Sequence, residues 1–129
     1  MEVTQAVADT SLFIGREAGL LKPDAIPSRL FVSTITIGEL RAGILSASDG
    51  DVRQVRVDTL LWAMEAESAP VDGRVAKAWA ALRLRLRNAN RRMPVNDSWI
   101  AATAMALDVP VVTQDDDYDG VPGLDVIRV

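Results

Sequence analysis

"MPVNDSWIAATAMALDVPVVTQDDDYD", residues 93–119, carries an apolar run, a short β-branched run and then a string of acids. From position 97 to 107 the side chains of Trp99, Ile100, Ala101, Ala102, Ala104, Met105 and Leu107 leave almost no polar face. The expected helix is therefore buried nearly all round. "VPVVT" follows at once and reads as a short buried strand. A buried helix feeding a buried strand belongs to an α/β chain, in which a mostly parallel sheet is covered by helices. Such sheets place their sites beyond the carboxyl ends of the strands. Asp115, Asp116 and Asp117 stand just past this strand, and Asp97 opens the helix before it.

Outward from this stretch the alternation continues. "EVTQAVAD" reads as a first strand ending at Asp9, and a short helix follows with Ile14, Ala18 and Leu21 on one face. Pro23 and Pro27 mark a loop. "LFVSTI" is a β-branched second strand, and "TIGELRAGILSA" is a helix with Ile37, Leu40, Ile44 and Leu45 on one side. After "SDGD" a third helix carries Val57, Leu60, Leu61 and Met64, and "SAPV" is a candidate short strand. Residues 73–88 contain "LRLRLR", which alternates like a strand. The longer window decides for a helix, because Val75, Ala78, Trp79, Leu82 and Leu86 fall at helical spacing among alanines. Leu84 then points away from the apolar stripe. "LDVIRV" closes the chain as a last strand.

At 129 residues, 49% apolar and 25% charged, the chain is expected to form a single globular domain over residues 1–129. It has no cysteine and no histidine. Thiolate catalysis, imidazole acid–base chemistry and the usual zinc sites are thereby excluded. No stretch reaches the roughly 18 apolar residues of a membrane span, and Glu2 stands where a signal peptide would be basic, so a cytoplasmic protein is expected. The net charge of −4 conceals a segregation. Arg74, Lys77, Arg83, Arg85, Arg87, Arg91 and Arg92 make up half of the 14 basic residues, and no acid falls between Asp72 and Asp97. Such a segment is either a solvated helix face or a surface that holds a phosphate backbone.

Each acid has a local explanation. Asp9, with Thr10 and Ser11, is able to cap the next helix. "TIGE" has the form of a capping box, with Thr36 as N-cap and Glu39 reaching back. Asp97 or Asn96 is a competent N-cap. The aspartate run followed by Asp119 and Gly120 has turn chemistry. The joint pattern is harder to dismiss, because in a parallel sheet four distant segments bring their acids to one edge. Clustered carboxylates repel one another unless a cation joins them. An oxygen-only donor set favours Mg²⁺ or Mn²⁺. Such an ion activates water and stabilises charge on a phosphoryl oxygen, which is nuclease chemistry without histidine or cysteine.

"ADTSLFI" (8–14), "STITIGELRAGI" (33–44), "PVNDSWIAATA" (94–104) and "VVTQDDDYDGVPGLDV" (111–126) resemble, in order and spacing, the motifs of PIN-domain ribonucleases. The likeness is strongest to the VapC-type toxins of bacterial toxin–antitoxin modules, and it covers essentially the whole chain. It implies a PIN-like three-layer α/β/α sandwich and an endoribonuclease dependent on Mg²⁺ or Mn²⁺. It also implies inhibition by a cognate VapB-type antitoxin and a homodimer within a larger complex. By position, Asp9, Glu39, Asp97 and Asp115 match the family's acidic residues, with Asp117 the adjacent acid. Asp9, Asp97, Asp115 and Asp117 would hold the metal and Glu39 would orient a water. Thr10, Ser11 and Thr113 match the polar positions beside the site, and the Arg74–Arg92 segment would contact RNA. Exposed apolar side chains near the second to fourth helices, Leu84 among them, are candidate association contacts. The same fold also serves in non-catalytic binding domains, which metal-dependent cleavage would separate from the enzyme. A phosphoacceptor receiver domain likewise places aspartates at strand ends, but it normally needs a lysine late in the chain, and the last lysine here is Lys77.

Overall fold

A computed structural model describes residues 3–129. In chain order the elements are β1 (Gln5–Ala8), α1 (Thr10–Glu17), β2 (Arg29–Ser33), α2 (Thr34–Ser46), α3 (Gly50–Ala63) and β3 (Glu67–Ala69). They continue as α4 (Gly73–Asn88), α5 (Val95–Leu107), β4 (Val111–Thr113) and β5 (Val126–Arg128). Short 3₁₀ turns span Pro23–Ala25 and Asp116–Tyr118. Every strand pairing is parallel, and the order across the sheet is β3-β2-β1-β4-β5. The expected first strand is shorter than its sequence run, and its Glu2 lies outside the described residues.

The strands alternate between two cores because successive side chains leave opposite faces. Val7, Phe31 and Val111 point to one face, where they meet Leu82 and Leu86 of α4 and Ile100, Ala101 and Ala104 of α5. Ala6, Ala8, Val32 and Val112 point to the other, against Leu12 and Phe13 of α1, Leu40 of α2 and Leu60 and Ala63 of α3. Helices thus cover both faces, giving the three-layer α/β/α sandwich with a parallel central sheet. The small β1 residues Ala6 and Ala8 are fully buried, as expected of a central strand covered on both sides.

The helical reading of residues 73–88 holds over Gly73–Asn88, where Asp72 caps the first turn by accepting from Val75 N at 3.0 Å. Several finer expectations are corrected. In α1 the buried residues are Leu12, Phe13 and Gly15, whereas Ile14 is 46% exposed. The helix ends at Glu17, so Ala18 and Leu21 never join its face. A short helix lying in a groove buries whichever side meets the sheet, and the phenyl ring of Phe13 outweighs the aliphatic repeat. On α2 and α3, Leu40 and Leu60 are buried, but Leu45, Leu61 and Met64, the residue just past α3, stand in solvent. Leu84 is exposed on α4, as its place on the helix implies. No helix among the described residues is long and apolar enough to cross a membrane.

Candidate active site

The chain builds β1, β2 and β3 outward in one direction, then returns to the opposite side of β1 to place β4 and β5. That reversal opens a crevice beyond the carboxyl ends of β1 and β4, the place where open parallel sheets bind ligands. Asp9 is the first residue past β1, and its N–H donates to Val112 O at 3.0 Å, which continues the ladder to β4. Thr113 ends β4, and Asp115 lies just beyond it. A tight turn through Asp108, which adopts the left-handed conformation, joins α5 to β4. The helix therefore runs back along the strand, and its first turn delivers Asp97 to the same edge.

Asp97 does not cap α5. The helix begins at Val95 with Pro94 in the capping position and no side-chain cap, so Asp97 sits in the first turn with its carboxyl turned to Asp117 and Tyr118. The capping box at Thr36 is corrected as well. Ser33 caps α2 one turn earlier, accepting from Ile35 N at 3.1 Å, and Thr36 is a buried residue inside the helix. Glu39 is thereby released from capping. It accepts a hydrogen bond from Thr10 Oγ1 at 2.7 Å. Having spent its one proton on Glu39, Thr10 must accept from Thr36 Oγ1, 3.0 Å away.

Asp9 has both roles that its position permits. It caps α1 through Ser11 N at 3.3 Å, and it is only 2% exposed at the floor of the crevice. Thr113 Oγ1 donates to Asp9 Oδ2 at 2.9 Å, and the hydroxyl of Tyr118 donates to Asp9 Oδ1 at 2.7 Å. Because the Thr113 proton is committed, Ser11 Oγ donates to Thr113 across 3.0 Å. Gln114 N and Asp115 N donate to the Ser11 and Thr113 hydroxyls at 3.0 and 2.9 Å. These bonds fix the loop after β4 against the start of α1.

Above this floor, Asp97, Asp115 and Asp117 each offer a carboxylate oxygen, and the three oxygens lie within 4.8 Å of one another. Asp116 between them is exposed. Burial and then the charge of Asp9 push the Asp97 carboxyl up to about 7, with Asp117 and Asp115 adding to the effect. A helix N-terminus ordinarily favours a carboxylate, so the rise marks how strongly the crowding opposes it. Asp115 is also raised, through burial and then the charge of Asp117. Three oxygens of like charge at this spacing match the donor set of a hard divalent cation.

The basic residues divide. Arg83, Arg87, Arg91 and Arg92 line one cleft of ≈ 300 Å³ with Leu86, Met93 and Val95. Arg91 also donates to Asp117 O at 2.9 Å, which ties that cleft to the acidic turn. Arg85 lines a different cleft beside Asp108 and Asp125, while Arg74 and Lys77 are exposed and line neither. Glu39 opens onto a third cleft, of ≈ 290 Å³, together with Thr10, Ile14 and Arg56. Sequence reasoning missed Tyr118, the one tyrosine of the chain. A single aromatic inside an acidic run was its only signal. Thr36 was missed because a capping role seemed to account for it.

The PIN domain model matches residues 6–124. The chain is 45% identical to ribonuclease VapC4 of Mycobacterium tuberculosis over 130 residues, covering 100% of both. It is 43% identical to ribonuclease VapC5 of the same organism, covering 95% of this chain and 94% of that one. The crystal structure of the VapBC-5 toxin–antitoxin system of M. tuberculosis superposes with a TM-score of 0.88 at 41% identity, covering 98% of this chain and 99% of that one. Fold, sequence and crevice agree: this chain belongs to the PIN-domain family and, within it, to the VapC ribonucleases.

Proposed function

We propose that the protein is the endoribonuclease toxin of a toxin–antitoxin pair, dependent on Mg²⁺ or Mn²⁺, with a VapB-type antitoxin as its inhibitor. The observation that carries this reading is the meeting of Asp97, Asp115 and Asp117 within 4.8 Å, above a buried Asp9. Relatives named as ribonucleases and a toxin–antitoxin structure at 41% identity support it. The protein acts in the cytoplasm as one PIN domain over residues 1–129 and forms a homodimer within the complex. Transfer and ribosomal RNA are the candidate substrates.

Asp97, Asp115 and Asp117 would hold the cation, with Asp9 completing the set from below. When bound, such an ion would supply stabilisation of charge on a phosphoryl oxygen and a lowered pKa for water. Glu39, held by Thr10, would help orient a water for in-line attack on the phosphodiester. Thr10, Ser11 and Thr113 keep the carboxylates in register through the hydroxyl bonds described above. Arg83, Arg87, Arg91 and Arg92 contact the RNA backbone along their shared cleft, with Arg74, Lys77 and Arg85 extending the basic surface around it.

The test is incubation of total RNA with antitoxin-free protein in Mg²⁺, Mn²⁺ or EDTA, beside Asp97→Asn. Discrete fragments that need the metal and vanish in the variant are expected. Full cleavage by folded Asp97→Asn would refute the site assignment.

A further inference from the structure

The side chain of Asp9 is almost completely bonded before any ion arrives. A carboxylate offers about four acceptor positions. Asp9 Oδ2 accepts from Thr113 Oγ1 at 2.9 Å and from Ser11 N at 3.3 Å, and Oδ1 accepts from the Tyr118 hydroxyl at 2.7 Å. One position remains, on Oδ1. The Tyr118 ring is fully buried in the core with Val121, and its hydroxyl, which also faces the Asp97 carboxyl, makes its 2.7 Å bond to Asp9. It also belongs to the 3₁₀ turn Asp116–Tyr118, one residue after Asp117, and Arg91 clamps that turn through Asp117 O.

We propose that Tyr118 is a positioning residue of the metal site: its hydroxyl locks Asp9 so that a single acceptor position, on Oδ1, is left for the cation. This rests on the metal-nuclease reading above and deepens it. Asp9 then binds through one oxygen, directly or through one water, and never as a two-oxygen chelate. The turn that supplies Asp117 also supplies the donor to Asp9, so the acids from β1 and from the loop after β4 are set in one rigid arrangement.

Tyr118→Phe removes the donor and keeps the ring. Its Mn²⁺ affinity, measured by calorimetric titration of the antitoxin-free protein, is expected to fall roughly 10- to 100-fold, the usual effect of losing a partner of a metal ligand. RNA cleavage is expected to recover as Mn²⁺ is raised. Val121→Ala loosens the same core without touching Asp9 and should keep the wild-type affinity, which separates positioning from stability. A folded Tyr118→Phe variant with wild-type Mn²⁺ affinity and an unchanged metal requirement for cleavage would overturn the proposal.

If that variant does not fold, fluorotyrosine placed at the chain's one tyrosine reports on the otherwise unaltered protein. Its fluorine resonance should shift on Mg²⁺ addition with the midpoint of binding, and a resonance indifferent to Mg²⁺ would equally overturn the proposal. Wild-type protein that neither binds Mn²⁺ nor cleaves RNA would remove the nuclease reading itself, an outcome read without any Tyr118 variant.

Discussion

Replacing Asp97 by Asn is expected to make the metal-free protein more stable, although it removes a residue of the proposed site. The Asp97 carboxyl rises from 3.8 to about 7 through burial and the neighbouring charges of Asp9, Asp117 and Asp115. Between those values the folded chain binds more protons than the unfolded one, so stability falls as pH rises through that window and stays lowered above it. At 1.36 kcal/mol per pH unit the displacement amounts to about 4 kcal/mol. Asp97 is only half-buried, and solvent screening reduces this to about 1–2 kcal/mol. Asparagine has no charge to confine, so the variant should gain that amount at about pH 8 and little at about pH 4. For a chain of this size the gain corresponds to a Tm about 4–8 °C higher. Thermal unfolding in EDTA across this pH range reads it directly. Saturating Mg²⁺ should reverse the order, because only the wild type gains the linkage energy, about 2.7 kcal/mol at 100 times Kd. A variant less stable than wild type in EDTA at alkaline pH, or a wild-type stability flat with pH, would refute the repulsion on which the site rests.

Exchange of Arg83 and Arg87 for Gln should weaken RNA binding and reduce the slope of log affinity against log salt by about 1.4, from two lost contacts to single-stranded backbone. Binding measured over a salt series checks this, and an unchanged slope would move the RNA path away from the cleft. Gly15→Ala should be neutral or stabilising by up to about 1 kcal/mol, since alanine outranks glycine inside a helix. The atoms nearest the new methyl are the side-chain end of Gln114, which is free to swing aside once its long 3.5 Å bond to Leu20 O is released. A loss of more than about 1 kcal/mol in a denaturant melt would mean that Gln114 is held in place, against this expectation.

What was legible in the sequence follows from periodicity and from rules about sheet edges. The helix of residues 73–88 emerged because Val75, Leu82 and Leu86 repeat at helical spacing, and all three are buried as that spacing requires. Asp9, Asp97 and the acids after β4 met because their segments end at one edge of a parallel sheet, which the strand and helix order alone implies. What remained illegible depended on atoms from distant segments. Ile14 looked like a core residue on its own helix, and only the placement of Phe13 beneath Trp62, with ring centroids 5.0 Å apart, shows which side α1 buries. Thr36 and Ser33 both have the chemistry of an N-cap, and the choice between them is made by where β2 stops, at Ser33. That choice matters beyond the helix end. With Ser33 as the cap, Thr36 is free to support Thr10, Thr10 is free to hold Glu39, and an acid that local rules would spend on capping lines the cleft it shares with Thr10 and Arg56. The misread caps therefore lie at the site itself, where local rules give way to function.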